Sequence, residues 1–397
     1  MTEPVPLIRM PMAEEPRVSL LIPTTSQAGK LEACLRSLAA HLPAAVPCEV
    51  IVVLNAPTAA VRRLVRENCH GLKITESAAN LGVAGGYNRA RSLAGGEFLV
   101  LLHDDVEIGP GWLEPLLATA AAHPEAGAIG CRVLNPDGTP QHAGSILWRN
   151  GLTSPVPVPD ELPDQPWPVD YTGTCCILVR TALWDAIGGL DEGIYPAYYV
   201  DVSLAMRLRR LGATVLCAPA ATLRHHAKSS STKPFREFLC LRNRARFLTQ
   251  WADAMLEFEP WAPDSPDAIP NALRGTRLTA QRLAASWQPI APGPLPPHDP
   301  VCQEIRHFQL AAEVANAWAE HLIQQLTAEN TAALASAERQ LARLREKLAA
   351  RDQKIKTLQA RSDRLAAKLR QPHPSTPWQR LRRWLIRRFA RPGGGDP

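Results

Sequence analysis

The stretch FLVLLHDDVEIGPGWLEPLL, residues 98–117, decides how this chain is read. Phe98 to Leu102 is an unbroken apolar run, short enough for a strand covered on both faces. It stops at His103, Asp104 and Asp105. Gly109-Pro110-Gly111 then turns the chain into a helix expected from Trp112 to Ala122. Two adjacent carboxylates at the C-terminal end of a buried strand do not easily both stay charged without a counter-ion. A hard divalent cation on carboxylate oxygens is one solution, and in an open α/β sheet that strand end is where ligands bind. A solvated acidic turn is the other reading, and the neighbouring sequence decides between them.

Upstream, Val18 to Ile22 is an apolar strand ending at Pro23-Thr24-Thr25. An amphipathic helix from Lys30 to Ala40 follows, with Leu31, Cys34, Leu35 and Leu38 on one face. Glu49 to Leu54 is a second strand, ending at Asn55; Thr58 to Asn68 is a second helix, and Lys73 to Glu76 a short strand. Strands alternating with helices imply parallel βαβ units. They place Thr24, Asn55 and Asp104/Asp105 on one edge of the sheet. The glycine-rich run Asn80–Asn88 follows only a short polar segment and lacks G-x-G-x-x-G spacing, which excludes a dinucleotide oxidoreductase. Its glycines permit close backbone approach to a ligand; a tight turn before a helix is the alternative. Downstream, Thr172 to Arg180 is again a buried strand. Residues 195–212 (YPAYYVDVSLAMRLRRLG) form an aromatic approach, an acid at 201 and a helix, and the strand Ala213–Ala218 leads to Arg224-His225-His226.

With 397 residues, 46% of them hydrophobic and 21% charged, the chain has the composition of a soluble globular protein of two or three domains. Its 9 cysteines form no C-x-x-C pair and several lie in apolar runs, so they read as reduced core thiols and not as a disulfide frame or zinc site. No apolar run approaches the roughly 18 residues that span a bilayer, and the first residues carry no secretory signal.

Taken together, Val18–Thr24, Asn80–Asn88, Leu101–Leu117 and Tyr171–His226 resemble the inverting glycosyltransferases of family 2 with the GT-A fold, in the bacterial O-antigen and rhamnosyl- or galactofuranosyl-transferase branch. The resemblance covers about residues 17–250 and implies an α/β fold with a Rossmann-like mixed sheet flanked by helices. It implies a metal-assisted transfer of a sugar, with inversion, from a nucleotide-sugar donor to a glycan or lipid-linked acceptor in cell-surface polysaccharide biosynthesis. The family's D-x-D motif falls on His103-Asp104-Asp105. Asp105 would ligate Mg2+ or Mn2+ at the donor diphosphate, with His225 joining it. Asp201 matches the general base. The donor would lie across Pro23, Thr24, Asn55, Asn80 and Gly82, with Asp104 toward the ribose. Three positions depart from the pattern. Leu54-Asn55 stands where an Asp often meets the base, His103 replaces the first motif acid, and Val200 replaces a Glu beside the base. These departures leave a second reading open, in which a degenerate transferase domain is a membrane-associated scaffold.

Beyond a flexible leader (1–16) and the domain at 17–250, residues 251–302 read as a Pro-rich linker with a helical insert, and 303–371 as helix. From Leu334 an apolar heptad runs through Leu341, Leu348, Ile355 and Leu369, with Ala337, Leu344, Leu358 and Leu365 at the second position. This is the pattern of a coiled coil, expected to be homodimeric. Residues 376–391 form a basic amphipathic helix with Trp378, Leu381, Leu385 and Phe389 opposite several arginines, suited to an anionic membrane surface and not to nucleic acid. The expected location is cytoplasmic, peripheral on the inner face of the plasma membrane.

Overall fold

A computed structural model describes residues 7–156, 165–226, 231–262, 265, 267–272, 299–329 and 331–370. In chain order the first half comprises β1 (Ile8–Arg9), β2 (Val18–Thr24), α1 (Ala28–His41), β3 (Cys48–Asn55), α2 (Ala59–Glu67), β4 (Cys69–His70), β5 (Leu72–Ser77), α3 (Gly82–Arg91), β6 (Phe98–Leu102), β7 (Val106–Ile108) and α4 (Leu113–Ala122). There follow β8 (Ala126–Leu134), β9 (Pro140–His142), β10 (Ser145–Leu147), β11 (Thr153–Pro155), β12 (Trp167–Pro168), β13 (Cys176–Arg180), α5 (Thr181–Ile187), α6 (Val200–Arg210), β14 (Thr214–His225), α7 (Lys233–Trp251), α8 (Pro300–Glu329) and α9 (Thr331–Arg370).

One sheet carries the order β12-β14-β8-β13-β6-β2-β3-β5, with β7 on β14 and β9 on β8. The run β6-β2-β3-β5 is parallel, as the alternating pattern requires. β13 enters antiparallel to both β6 and β8, so the sheet is mixed. The β6 run is buried at every residue because helices cover both faces. Leu31, Cys34, Leu35 and Leu38 of α1 pack on one face with Val61 of α2 and Leu116 of α4. Ala84 and Tyr87 of α3 and Leu204 and Leu208 of α6 pack on the other. Each such fully buried leucine contributes about 1.5–3 kcal/mol relative to exposure. The polar ends of β2, β3 and β6 therefore emerge together at one sheet edge.

Two expectations change outside this core. Residues 8–10, read as part of a flexible leader, are held: β1 pairs in parallel with β4, and Ile8 and Met10 are buried. Part of the heptad seam of α9 is used within the chain. Leu341 and Leu344 face Ala319, Leu322 and Ile323 of α8 across a small void. Ile355 and Leu358 pack with Phe308 and Ile305 of α8 on Ala79 and Leu81 of the α/β domain. An apolar seam records that a helix has a partner and not which chain supplies it. Here α8 and α9 form a hairpin docked on their own domain. The basic helix read at 376–391 lies outside the described residues, and among those described no helix is long and apolar enough to cross a membrane.

Candidate active site

The strand ends open into a cavity of about 610 Å³. Its walls include Pro23, Thr24, Asn55, Asn80, Gly82, Asp104, Asp105 and His225, the residues that the resemblance implies at a donor and metal site, along with His103. The opposite wall is Pro196, Ala197 and Tyr198 with Phe235, Arg236 and Leu239 of α7. Asp201 is not among the lining residues; it lies in the first turn of α6, three residues after Tyr198.

Asp105 is the electrostatic centre. Its Oδ1 stands 3.1 Å from His225 Nε2 and 4.0 Å from His103 Nδ1, and its Oδ2 stands 3.2 Å from Lys30 Nζ. Burial alone would raise its carboxyl, but His225, His103 and Lys30 together hold it well below the usual carboxylate range. Burial brings the His103 imidazole down to about 4, so at neutral pH it carries a free lone pair. Potential ligand atoms of His103, Asp105 and His225 all lie within 4.8 Å of one another. The departure at 103 has thus exchanged one candidate ligand for another. Asp104 turns the other way, accepting a 2.6 Å hydrogen bond from the Thr24 hydroxyl, and burial raises its carboxyl.

What brings His225 to Asp105 is a strand that the sequence reading passed over. β7 pairs antiparallel with the end of β14, setting Val106 opposite His225, and the His226 N–H donates to the Asp105 carbonyl at 3.0 Å.

The glycine-rich segment also differs from expectation. It is the first part of helix α3, and its glycines make room for protein. A Cβ at Gly82, which has φ +64°, would meet the Pro196 carbonyl oxygen at 2.7 Å; one at Gly86 would meet Pro23 at 2.7 Å. Asn55 serves this loop as well. Its Oδ1 accepts from Leu81 N–H at 2.6 Å, and its Nδ2 donates to the Gly82 carbonyl at 3.2 Å and Asn80 Oδ1 at 3.3 Å. The Asn55 amide, expected to face a nucleobase, is thus engaged by the loop. An aspartate could accept the Leu81 N–H but would offer the Gly82 carbonyl no donor.

On the far wall, Tyr198 and Tyr199 both hold φ +67°. Such geometry costs about 1–3 kcal/mol per residue and persists where surroundings impose it. Buried Asn243 of α7 imposes it, donating from Nδ2 to the carbonyls of Ala197 at 2.7 Å and Tyr198 at 3.3 Å. The segment so held leads into α6 and Asp201. Burial pushes the Asp201 carboxyl up to about 6, and its Oδ1 accepts from Val202 N–H at 2.9 Å.

Helix α8 stands behind both walls without lining the cavity. Its Gln303 accepts from Arg89 Nε at 2.6 Å and donates to Glu192 at 2.9 Å; its His307 lies 3.5 Å from Glu192. Its Trp318 packs edge-on against Phe235, with ring centroids 5.3 Å apart.

A mixed Rossmann-like sheet with an acid and two histidines at its strand ends is an arrangement of the GT-A type of fold. The chain carries a domain of glycosyl transferase family 2, which matches residues 19–186. The O-antigen biosynthesis protein RfbC of Myxococcus xanthus is 28% identical over 245 residues, 58% of this chain; the chain spans only 19% of that protein's length. The N-acetylglucosaminyl-diphospho-decaprenol L-rhamnosyltransferase of Mycobacterium tuberculosis (strain H37Rv) is 26% identical over 57% of this chain and 81% of its own. Among solved structures, GalNAc-T7 with UDP, GalNAc and Mn2+ superposes with a TM-score of 0.50 at 14% identity, over 62% of this chain and 49% of that one, a likeness of fold.

Proposed function

We propose that the protein transfers a sugar, with inversion at the anomeric carbon, from a nucleoside-diphosphate donor to a hydroxyl of a glycan or lipid-linked acceptor in cell-surface polysaccharide assembly. The observation that carries this reading is the convergence of Asp105 and His225, 3.1 Å apart, on the cavity walled by Pro23, Thr24, Asn55, Asn80 and Gly82.

Asp105, His225 and His103 are placed so that they could hold a divalent cation. Held by these side chains, a divalent cation would supply Lewis-acid stabilisation of the departing diphosphate. The protein's own groups do the rest. Asp104, oriented by Thr24, faces the ribose. Asp201 takes the proton from the acceptor hydroxyl as that oxygen bonds to the anomeric carbon and the bond to the diphosphate breaks. A carboxyl near 6 is ionised at neutral pH yet basic enough for this role. The basic segment 376–391 holds the enzyme at the cytoplasmic face of the membrane, beside a lipid-linked acceptor.

Hydrolysis of a panel of nucleotide sugars, with and without Mn2+, tests the reading in wild type, Asp105→Asn and Asp201→Asn. Wild type is expected to turn over one donor in a metal-dependent way, and both variants to fall to background. Equal background turnover in all three would favour the scaffold instead.

A further inference from the structure

The site's unusual feature is the residue that breaks the family's acidic pattern. His103 and His225 approach Asp105 in the same manner, each with one ring nitrogen toward the carboxylate and the other engaged by the protein. His225 Nδ1 lies 2.9 Å from Gln141 Oε1, and the Gln141 amide is itself oriented by donating to Asn135 Oδ1 at 2.9 Å. A proton on Nδ1, donated to Gln141 Oε1, would leave the Nε2 lone pair available to an ion held by Asp105. On the other side, His103 Nε2 lies 3.2 Å from the Thr174 hydroxyl, leaving Nδ1 toward the same carboxylate oxygen. Outer hydrogen bonds of this kind fix the tautomer and orientation of metal-binding imidazoles. Two atoms on one ion at about 2.1 Å each stand at most about 4.2 Å apart. The 3.1 Å and 4.0 Å separations from Asp105 Oδ1 fit that limit.

We propose that His103 completes a two-imidazole, one-carboxylate metal site that takes Mn2+ or a later first-row divalent ion in preference to Mg2+. The proposal rests on the reading above, that the ion sits on Asp105, and adds what selects it. Mg2+ is held by oxygen ligands and their charge, gives up its waters reluctantly, and gains little from imidazole. The cluster offers it one carboxylate, and Lys30 Nζ at 3.2 Å already opposes that charge. Imidazole nitrogens bind first-row transition ions well. The replacement of an acid by histidine at 103 thus changes which ion the site keeps.

The test is metal binding to the full chain without donor. Calorimetry gives affinities for Mg2+ and Mn2+, and electron spin echo modulation of bound Mn2+ reports nitrogen coupling. Wild type is expected to prefer Mn2+ and to show coupling from two imidazoles. His103→Gln, close in volume but without a ring nitrogen, should show one imidazole and bind Mn2+ about tenfold or more weakly. His103→Asp should shift the Mn2+/Mg2+ affinity ratio toward Mg2+ by about tenfold or more. Thermal melts establish that each variant is folded. An unchanged ratio in His103→Asp, or unchanged nitrogen coupling in His103→Gln, overturns the proposal. Asp105→Asn separates the two levels: if it leaves Mn2+ binding intact, the metal reading itself has failed; if it abolishes binding while the His103 variants behave as wild type, only the role of His103 has failed.

Discussion

Gly85 of α3 lies so close to His307 of α8 that a Cβ at 85 would stand 2.5 Å from the imidazole Nε2. His307 cannot swing aside cheaply. It is fully buried, its Nδ1 lies 2.8 Å from the Gln303 carbonyl, and its ring meets Tyr195 edge-on. Gly85→Ala is therefore expected to loosen α8 and to lower stability by about 1–3 kcal/mol. Gly109, where an added Cβ meets nothing within 4 Å, serves as the control, with Gly109→Ala within about 0.5 kcal/mol of wild type. Chemical denaturation checks both. Equal midpoints would mean that the hairpin is not tightly seated.

Asn55 makes a prediction against family habit. Asn55→Asp installs the residue that the resemblance implies at this strand end, yet it removes the donor to the Gly82 carbonyl in a buried position. A loss of about 1–3 kcal/mol in stability is expected, along with weaker nucleotide binding as the 80–82 loop loosens. Thermal melts and nucleoside-diphosphate titration measure the two effects. Tighter binding in the variant would return Asn55 to the nucleobase.

Asp201 gives a pH dependence of defined sign. Its folded carboxyl, raised to about 6 by burial, would serve as the proposed base only when ionised. kcat should fall about tenfold per unit below pH 6 and level off above it. Asp201→Asn should lower kcat by about 10²–10⁴ while nucleotide affinity holds. Because the folded value exceeds the unfolded one, the native state binds the extra proton between about pH 4 and 6, and wild-type stability falls as pH rises through that window. The variant is then the more stable protein at pH 7, by up to about 3 kcal/mol at about 1.4 kcal/mol per unit, and the advantage vanishes at pH 4. A flat kcat profile from pH 5 to 8 would remove Asp201 from the proton transfer.

Asn243 tests the far wall. Asn243→Leu keeps the volume but leaves the Ala197 and Tyr198 carbonyls without their donor, and the left-handed pair Tyr198-Tyr199 without its support. The expected result is a drop in kcat at least tenfold larger than any change in donor KM, because the segment leads to Asp201 and not to the nucleotide side. A variant with normal kcat would show that the pair holds itself.

The residues differ in how much of this their sequence disclosed. β2, β3 and β6 were legible because strands buried on both faces are continuous apolar runs, and their polar ends fixed one edge of the sheet. The seam of α9 was legible as a seam, but its partner was not, since periodicity is a property of one helix. β7, only three residues long, carries no pattern, although it delivers His225 to Asp105. Gln141, Thr174 and Asn243 reach the site from distant segments through one or two hydrogen bonds each, and no local spacing marks such contacts. His103 departs from the acidic motif, and its contact with the His225 ring, centroids 5.5 Å apart, is one that no local spacing marks.

The pairing of β7 with β14 has one more consequence. Asp105 and His225 are 120 positions apart in the chain, and they meet only when the end of β14 is in register, with Val106 opposite His225. A slip of one residue would turn the histidine to the other side of the sheet. Any ligand that grips both side chains therefore has no grip on a chain whose last sheet strand is unpaired. Its binding energy adds wholly to the finished native state, by about 2.7 kcal/mol at a hundredfold excess over Kd. This edge of the sheet thus doubles as a latch on the folded state, held shut by what it binds.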